Sequence, residues 1–175
     1  MTGPSTSPSR APSSALVVGL GSVDRGDDAA GPVVAALVGD ELTAHGPDDV
    51  HVVEHEDPTA LMDLWPGYRS VVVVDAIRSG SDPGTVSVLS IDPGPQGAAL
   101  PARIEPGPAG THGLGLAAAV ELARALDRLP ERLTVVGIHG ASFGHGEPLS
   151  AAVAAAVPDA VGIVMACLEE VRDVP

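Results

Sequence analysis

Four consecutive valines, Val71-Val72-Val73-Val74, constrain this chain more than any other feature. β-Branched side chains suit a pleated surface, and an unbroken run offers no polar face to water. Residues 70–76 therefore read as a strand buried on both faces, the habit of a parallel sheet flanked by helices. The rest of the chain fits that reading. Strand-like segments at 15–19, 50–54 and 133–138 alternate with helix-period segments at 27–42, 59–64, 113–129 and 149–171. Pro130 is expected to stop the third helix, and Pro158 to break or kink the fourth. Residues 85–91 alternate apolar and polar and follow the valines through only the turn Ser79-Gly80-Ser81-Asp82-Pro83-Gly84. So short a link favours an antiparallel edge over a crossover. The fold class is α/β: one three-layer domain with a mostly parallel twisted sheet of about five strands, one antiparallel edge strand, and helices on both faces.

A length of 175 residues fits one domain, placed at 15–175. Residues 1–14 are Ser, Pro, Thr and Gly with one Arg10. The apolar run behind them lasts only about five residues, too short for a secretory h-region, so a disordered tail is expected. Aromatic residues make up 2% of the chain, which leaves the core to Val, Leu, Ile and Ala. There is no lysine, which removes Schiff-base chemistry and a Walker-type phosphate site. A net charge of −14 argues against nucleic acid and anionic membrane as partners. The single Cys167 forbids an internal disulfide or a cysteine-cluster metal site and suits a cytoplasmic protein. Residues 151–168 are apolar but hold Pro158 and Asp159, so a soluble helix is expected there rather than a membrane span.

The first strand runs into Gly19-Leu20-Gly21-Ser22-Val23-Asp24-Arg25-Gly26-Asp27-Asp28-Ala29-Ala30-Gly31. Strand, glycines, then helix is the layout of a phosphate-binding turn, but such a turn needs bare N–H groups and a positive helix end. Asp24, Asp27 and Asp28 against Arg25 alone would repel a pyrophosphate, and no third glycine stands at the dinucleotide offset. A dinucleotide oxidoreductase is thereby disfavoured, and the turn suits a cation. Asp75 closes the valine strand, and ligands of open α/β sheets collect at such strand ends. His112 opens the third helix behind Thr111, a natural N-cap, where the positive helix end keeps the imidazole neutral. Carboxylates with one imidazole suit a divalent metal with open positions. Gly140-Ala141-Ser142-Phe143-Gly144 matches the G-x-S-x-G elbow by accident, because Gly144, Gly146 and Pro148 forbid the helix that must follow the serine. His45, His51 and His55 read as surface residues, and Cys167 as core.

At these residues the chain resembles the hydrogenase maturation endopeptidases, over nearly all of 15–171. The likeness rests on Gly19-Leu20-Gly21 leading to Asp27-Asp28 and Gly31, on Val73-Val74-Asp75-Ala76, on Thr111-His112-Gly113-Leu114-Gly115-Leu116, and on Val136-Gly137-Ile138 with Leu149-Ser150. Two positions depart from the family pattern: Ser22 replaces an asparagine, its hydroxyl able to cap the turn, and Ala151 replaces a proline. His139 and His145 look like marks of a subgroup. The resemblance implies metal binding and catalysis by Asp28, Asp75 and His112, with Asp27 as the rival to Asp28. It implies removal of the C-terminal extension from a nickel–iron hydrogenase large-subunit precursor, with nickel supplied by that substrate and replaceable by other divalent metals. It further implies a monomer with no serine or cysteine nucleophile, the ion polarising the scissile carbonyl or activating water. A fourth protein ligand has no candidates beyond Glu56 and Asp57, and residues 92–110 are the expected docking segment. A non-catalytic metal-binding maturation chaperone would use the same ligands.

Overall fold

The computed structural model describes residues 15–45, 49–78, 80–94 and 112–172, except the side chains of residues 45, 112–114, 171 and 172. The expected tail at 1–14, Thr111 and most of the expected docking segment lie outside the described residues. Five strands form one sheet: β1 (Ala15–Leu20), β2 (Val50–His55), β3 (Ser70–Ile77), β4 (Val86–Ile91) and β5 (Arg132–His139). Their order is β2-β1-β3-β5-β4. All neighbours are parallel except β4, which runs antiparallel against β5 at the edge. The valine strand β3 is central, as its doubly apolar sequence requires.

Helices cover both faces. On one, α1 (Ala30–His45) and α4 (Ala151–Arg172) pack on Val17, Val72, Val74, Val136 and Ile138. On the other, α3 (His112–Ala125) packs with Leu61 and Trp65, from and just after the single turn α2 (Leu61–Leu64), against Leu16, Val18, Val71, Val73, Leu133 and Val135. The strand alternation sorts these residues, odd positions of β3 facing α3 and even positions facing α1 and α4.

Three expectations need correction. The first helix does not begin at residue 27, because a 3-10 turn at Gly26–Ala29 precedes α1. The third ends at Ala125 rather than running to residue 129. Asp127 takes a left-handed φ of 54°, and the Arg128 N–H reaches back to the Ala123 carbonyl at 2.8 Å, a Schellman closure ahead of Pro130. Of the break or kink expected at Pro158, the break is absent, because α4 runs through it. It lies on the exposed side of the helix, where water can reach the carbonyl its missing N–H leaves unpaired. By length and composition alone α4 could cross a membrane, with mean hydropathy 2.0 over residues 151–170, yet Val153, Val157, Ala160, Val164 and Leu168 pack into the core.

Helix α1 lies unusually close to the sheet at Gly31. A Cβ there would stand 2.2 Å from the Leu20 carbonyl oxygen and 2.6 Å from that of Val74. Neither atom is a flexible side-chain end, so backbone must move. Gly31→Ala should therefore destabilise the fold by about 1–3 kcal/mol, the range of overpacked cores, read as a lower denaturant midpoint at unchanged m-value.

Candidate metal and catalytic site

Strand order reverses between β1 and β3, and the carboxyl ends of those strands form the crevice where open α/β sheets bind ligands. The chain leaves β1 through Gly21, whose φ of 129° few L side chains adopt and whose Cβ would stand 1.9 Å from the Asp28 carbonyl oxygen. It then enters the 3-10 turn that carries Asp27 and Asp28.

These adjacent acids have different tasks. Asp27 is fully buried. Its Oδ2 accepts the Ala141 and Ser142 N–H groups at 2.7 and 2.9 Å, and its Oδ1 accepts the Ser150 N–H at 2.6 Å. Its own N–H donates to the Ser142 carbonyl at 2.7 Å. Burial opposes ionisation, but the hydrogen bonds from Ser142, Ser150 and Ala141 outweigh it and hold the carboxyl below its ordinary 3.8. Asp27 thus staples the β5–α4 loop to the β1 turn and has no oxygen to spare. Asp28, 5% exposed, accepts only the Ser22 N–H at 2.9 Å on Oδ2 among the described contacts. Among the described contacts it is the acid of this pair with an oxygen not engaged by a backbone donor. Ser22 acts through its backbone; its hydroxyl donates to Glu56 at 3.2 Å, so the expected hydroxyl cap is corrected.

Asp75 stands on the α3 side of β3, opposite Gly137 of β5, with no exposed surface. Neither carboxylate oxygen has a hydrogen-bond partner of ordinary geometry. Burial first, and the Asp28 charge second, raise its pKa from 3.8 to about 8, against a smaller pull from the Ala76 amide. A buried carboxylate without donors, beside a second carboxylate, needs a proton or a metal cation to neutralise it. That donor chemistry fits a divalent ion.

His112 is the first residue of α3, on the sheet face that Asp75 shares. Gly115, one turn on, lies against Pro58, in the turn just beyond the carboxyl end of β2. The helix start is therefore at the same sheet edge as the acids. The His112 imidazole lies outside the described residues, and no group of three or more metal-ligating side chains occurs among those described. Of the two reserve ligands, Asp57 is committed: its Oδ1 accepts the Thr59 N–H and hydroxyl, both at 2.8 Å. Ser142 donates its hydroxyl to Glu147, and no helix begins before Ala151, so the nucleophile-elbow geometry is absent there. His51 is exposed and stacks edge-on with Tyr68, His55 is half-buried, and Cys167 is half-buried against the α1–α4 core. His139, ending β5, is buried, and burial lowers its pKa; His145 is exposed. The stapling role of Asp27 escaped the sequence reading, since its partners are N–H groups more than a hundred residues away.

The two buried acids predict opposite pH behaviour. Asp27 stabilises the fold above its unfolded pKa of 3.8, and that stabilisation is lost as pH falls through its lowered folded value. Asp27→Asn should cost about 3 kcal/mol or more at neutral pH, because an amide N–H₂ would face backbone donors; the deficit in chemical denaturation should shrink in acid. Asp75 holds a proton when folded that it lacks when unfolded between 3.8 and about 8, so its contribution declines as pH rises through that window. In chelator-treated protein, Asp75→Asn should melt above the wild type near pH ~9, with the gap narrowing toward pH ~5. A gap independent of pH would mean that Asp75 is ionised throughout.

Comparison with known proteins agrees with this fold. No curated protein sequence matches significantly. The hydrogenase maturating endopeptidase HybD from Escherichia coli has a similar structure, with TM-score 0.71 and 25% identity over 90% of this chain and 93% of that one. The NiFe hydrogenase maturation protease HybD from Thermococcus kodakarensis shares the fold, with TM-score 0.61 and 24% identity over 89% of this chain and 99% of that one. The family model described as HycI hydrogenase maturation protease matches residues 44–167, well over half of the sequence. The chain belongs to the hydrogenase maturation protease family and is an endopeptidase-class hydrolase.

Proposed function

We propose that this enzyme removes the C-terminal extension of a nickel–iron hydrogenase large-subunit precursor after nickel has been inserted, and that it recognises the precursor through that nickel. The observation that carries the reading is the buried Asp75 carboxylate, without a hydrogen-bond donor and next to Asp28 at the sheet's switch point. Asp28, Asp75 and His112 are the proposed protein ligands, and the precursor fills the remaining positions. An ion held there would supply Lewis-acid chemistry, polarising the scissile carbonyl or lowering the pKa of an attacking water.

The chain's own groups supply the rest. Asp28 is oriented by the Ser22 N–H and by the Asp27 staple behind it, so it meets the ion without reorganising. Asp75, whose pKa is raised to about 8, would have to lose its proton to hold an ion, which would couple binding to pH. The apolar strands behind it exclude water and strengthen every charge interaction in the crevice. The partner is the precursor, met by a monomer.

Nickel-loaded precursor incubated with the wild type should yield a shortened large subunit, and nickel-free precursor should not. Asp28→Asn, Asp75→Asn and His112→Gln should each lower processing by about a hundredfold or more while the fold persists. Ser142→Ala should process normally. Binding of loaded precursor without shortening would establish the metal-chaperone reading instead.

A further inference from the structure

Arg78 follows β3 directly, three residues beyond Asp75, and its guanidinium carbon stands 4.2 Å from the centroid of the Phe143 ring. Phe143 is the chain's only phenylalanine and is itself anchored. It packs against the α1–α4 core, and it lies so close to Gly140 that a Cβ there would stand 2.7 Å from its ring. The same Cβ would stand 2.9 Å from the Asp27 Cβ, and the Gly140 N–H donates to the Ile77 carbonyl at 3.0 Å. The ring under Arg78 is thus part of the staple that fixes Asp28.

Ion pairing is what this cation lacks. In a chain of 23 acidic and 9 basic residues, no described carboxylate lies within ion-pair distance of Arg78. Arg69 and Arg124, by contrast, pair with Glu131 and Glu121. A guanidinium seated over an aromatic ring still carries N–H donors in the fork that fits a carboxylate. Stacking also restrains the long side chain, so less freedom is lost on binding. Arg78 is half-buried and open to a ligand at the crevice rim.

We propose that Arg78, held on Phe143, is a substrate-binding residue that takes a carboxylate of the precursor peptide. Its distance sets the position. Arg78 stands just past the carboxyl end of the strand that holds Asp75, so at about 3.3 Å per extended residue the carboxylate falls within about four residues of the scissile bond. The carboxylate is either an acidic side chain or the terminus of a short extension. It would otherwise be repelled by Asp28 and its neighbours, so Arg78 lets an acidic peptide enter an acidic crevice. This inference rests on the protease reading above.

Cleavage kinetics with nickel-loaded precursor test it. Arg78→Gln should raise KM about tenfold or more with kcat within about twofold, the scale of one charge-assisted hydrogen bond, and should melt with the wild type. Changing acidic residues within four positions of the scissile bond to their amides should raise the wild-type KM equally if a side chain is bound. Lengthening the extension by two residues should do so if the terminus is bound. In either case the change should have no further effect on Arg78→Gln. For a bound side chain, Arg78→Glu should recover cleavage when that acid becomes arginine. An unchanged KM in Arg78→Gln, with the wild type active, would overturn the carboxylate subsite alone. Absence of cleavage by the wild type would overturn the protease reading instead.

Discussion

The carboxyl edge of this sheet depends on the Asp27 carboxylate. Its two oxygens accept three backbone N–H groups from the β5–α4 loop, and two further backbone bonds, Gly26 to Glu147 and Gly146 to Asp24, close beside it. A carboxylate held by several amides is a strong charge-assisted node, far less mobile than a loop on the surface. Asp28 follows it in a one-turn 3-10 helix and inherits that rigidity. Phe143 rides on the same loop, so the ring beneath Arg78 is fixed by the same bonds. One side chain thus steadies both the turn that holds Asp28 and the loop that carries the ring under Arg78.

Asp75 shows the cost of the arrangement. A neutral apolar residue would continue the valine strand without penalty, yet the chain places there an acid with no donor for either oxygen. Burial and the Asp28 charge both disfavour its ionised form, so these surroundings by themselves favour a protonated Asp75. A divalent ion reverses that preference, because the same low-dielectric surroundings that penalise a lone carboxylate strengthen its attraction to a cation. Stability given up at a buried acid is a pattern common at functional sites.

The fold was legible because its signals are local. The valine run at β3 and the half-apolar alternation of β4 mark a central strand and an edge strand, but the short turn between them does not reveal that β5 comes to lie between the two. Boundaries were less legible where a distant or subtle backbone contact decides them. Asp127 ends α3 by a left-handed turn that Asp rarely signals, and the 3-10 entry to α1 forms because Asp27 is pulled toward residues 141–150. Asp28 and Asp75 could be picked out as acids at strand ends. The division of labour between Asp27 and Asp28 could not, since it depends on which carboxylate the remote loop engages, and neighbours in sequence carry no trace of that choice.

A site shared between a stapled turn and a central strand also explains where specificity can reside. Asp28 and Asp75 sit on elements with little freedom, so the pair cannot adapt to different peptides. Discrimination then falls to groups at the rim, whose contacts change with the substrate while the acids stay fixed. Arg78 has that character: it lies past the end of β3, is held by a ring rather than an ion pair, and carries the charge opposite to the crevice. Substituting it leaves the staple and both acids in place, so substrate preference can change without loss of the chemistry. On the reading proposed above, a rigid acidic floor would meet any loaded precursor and a cationic rim would distinguish one peptide from another.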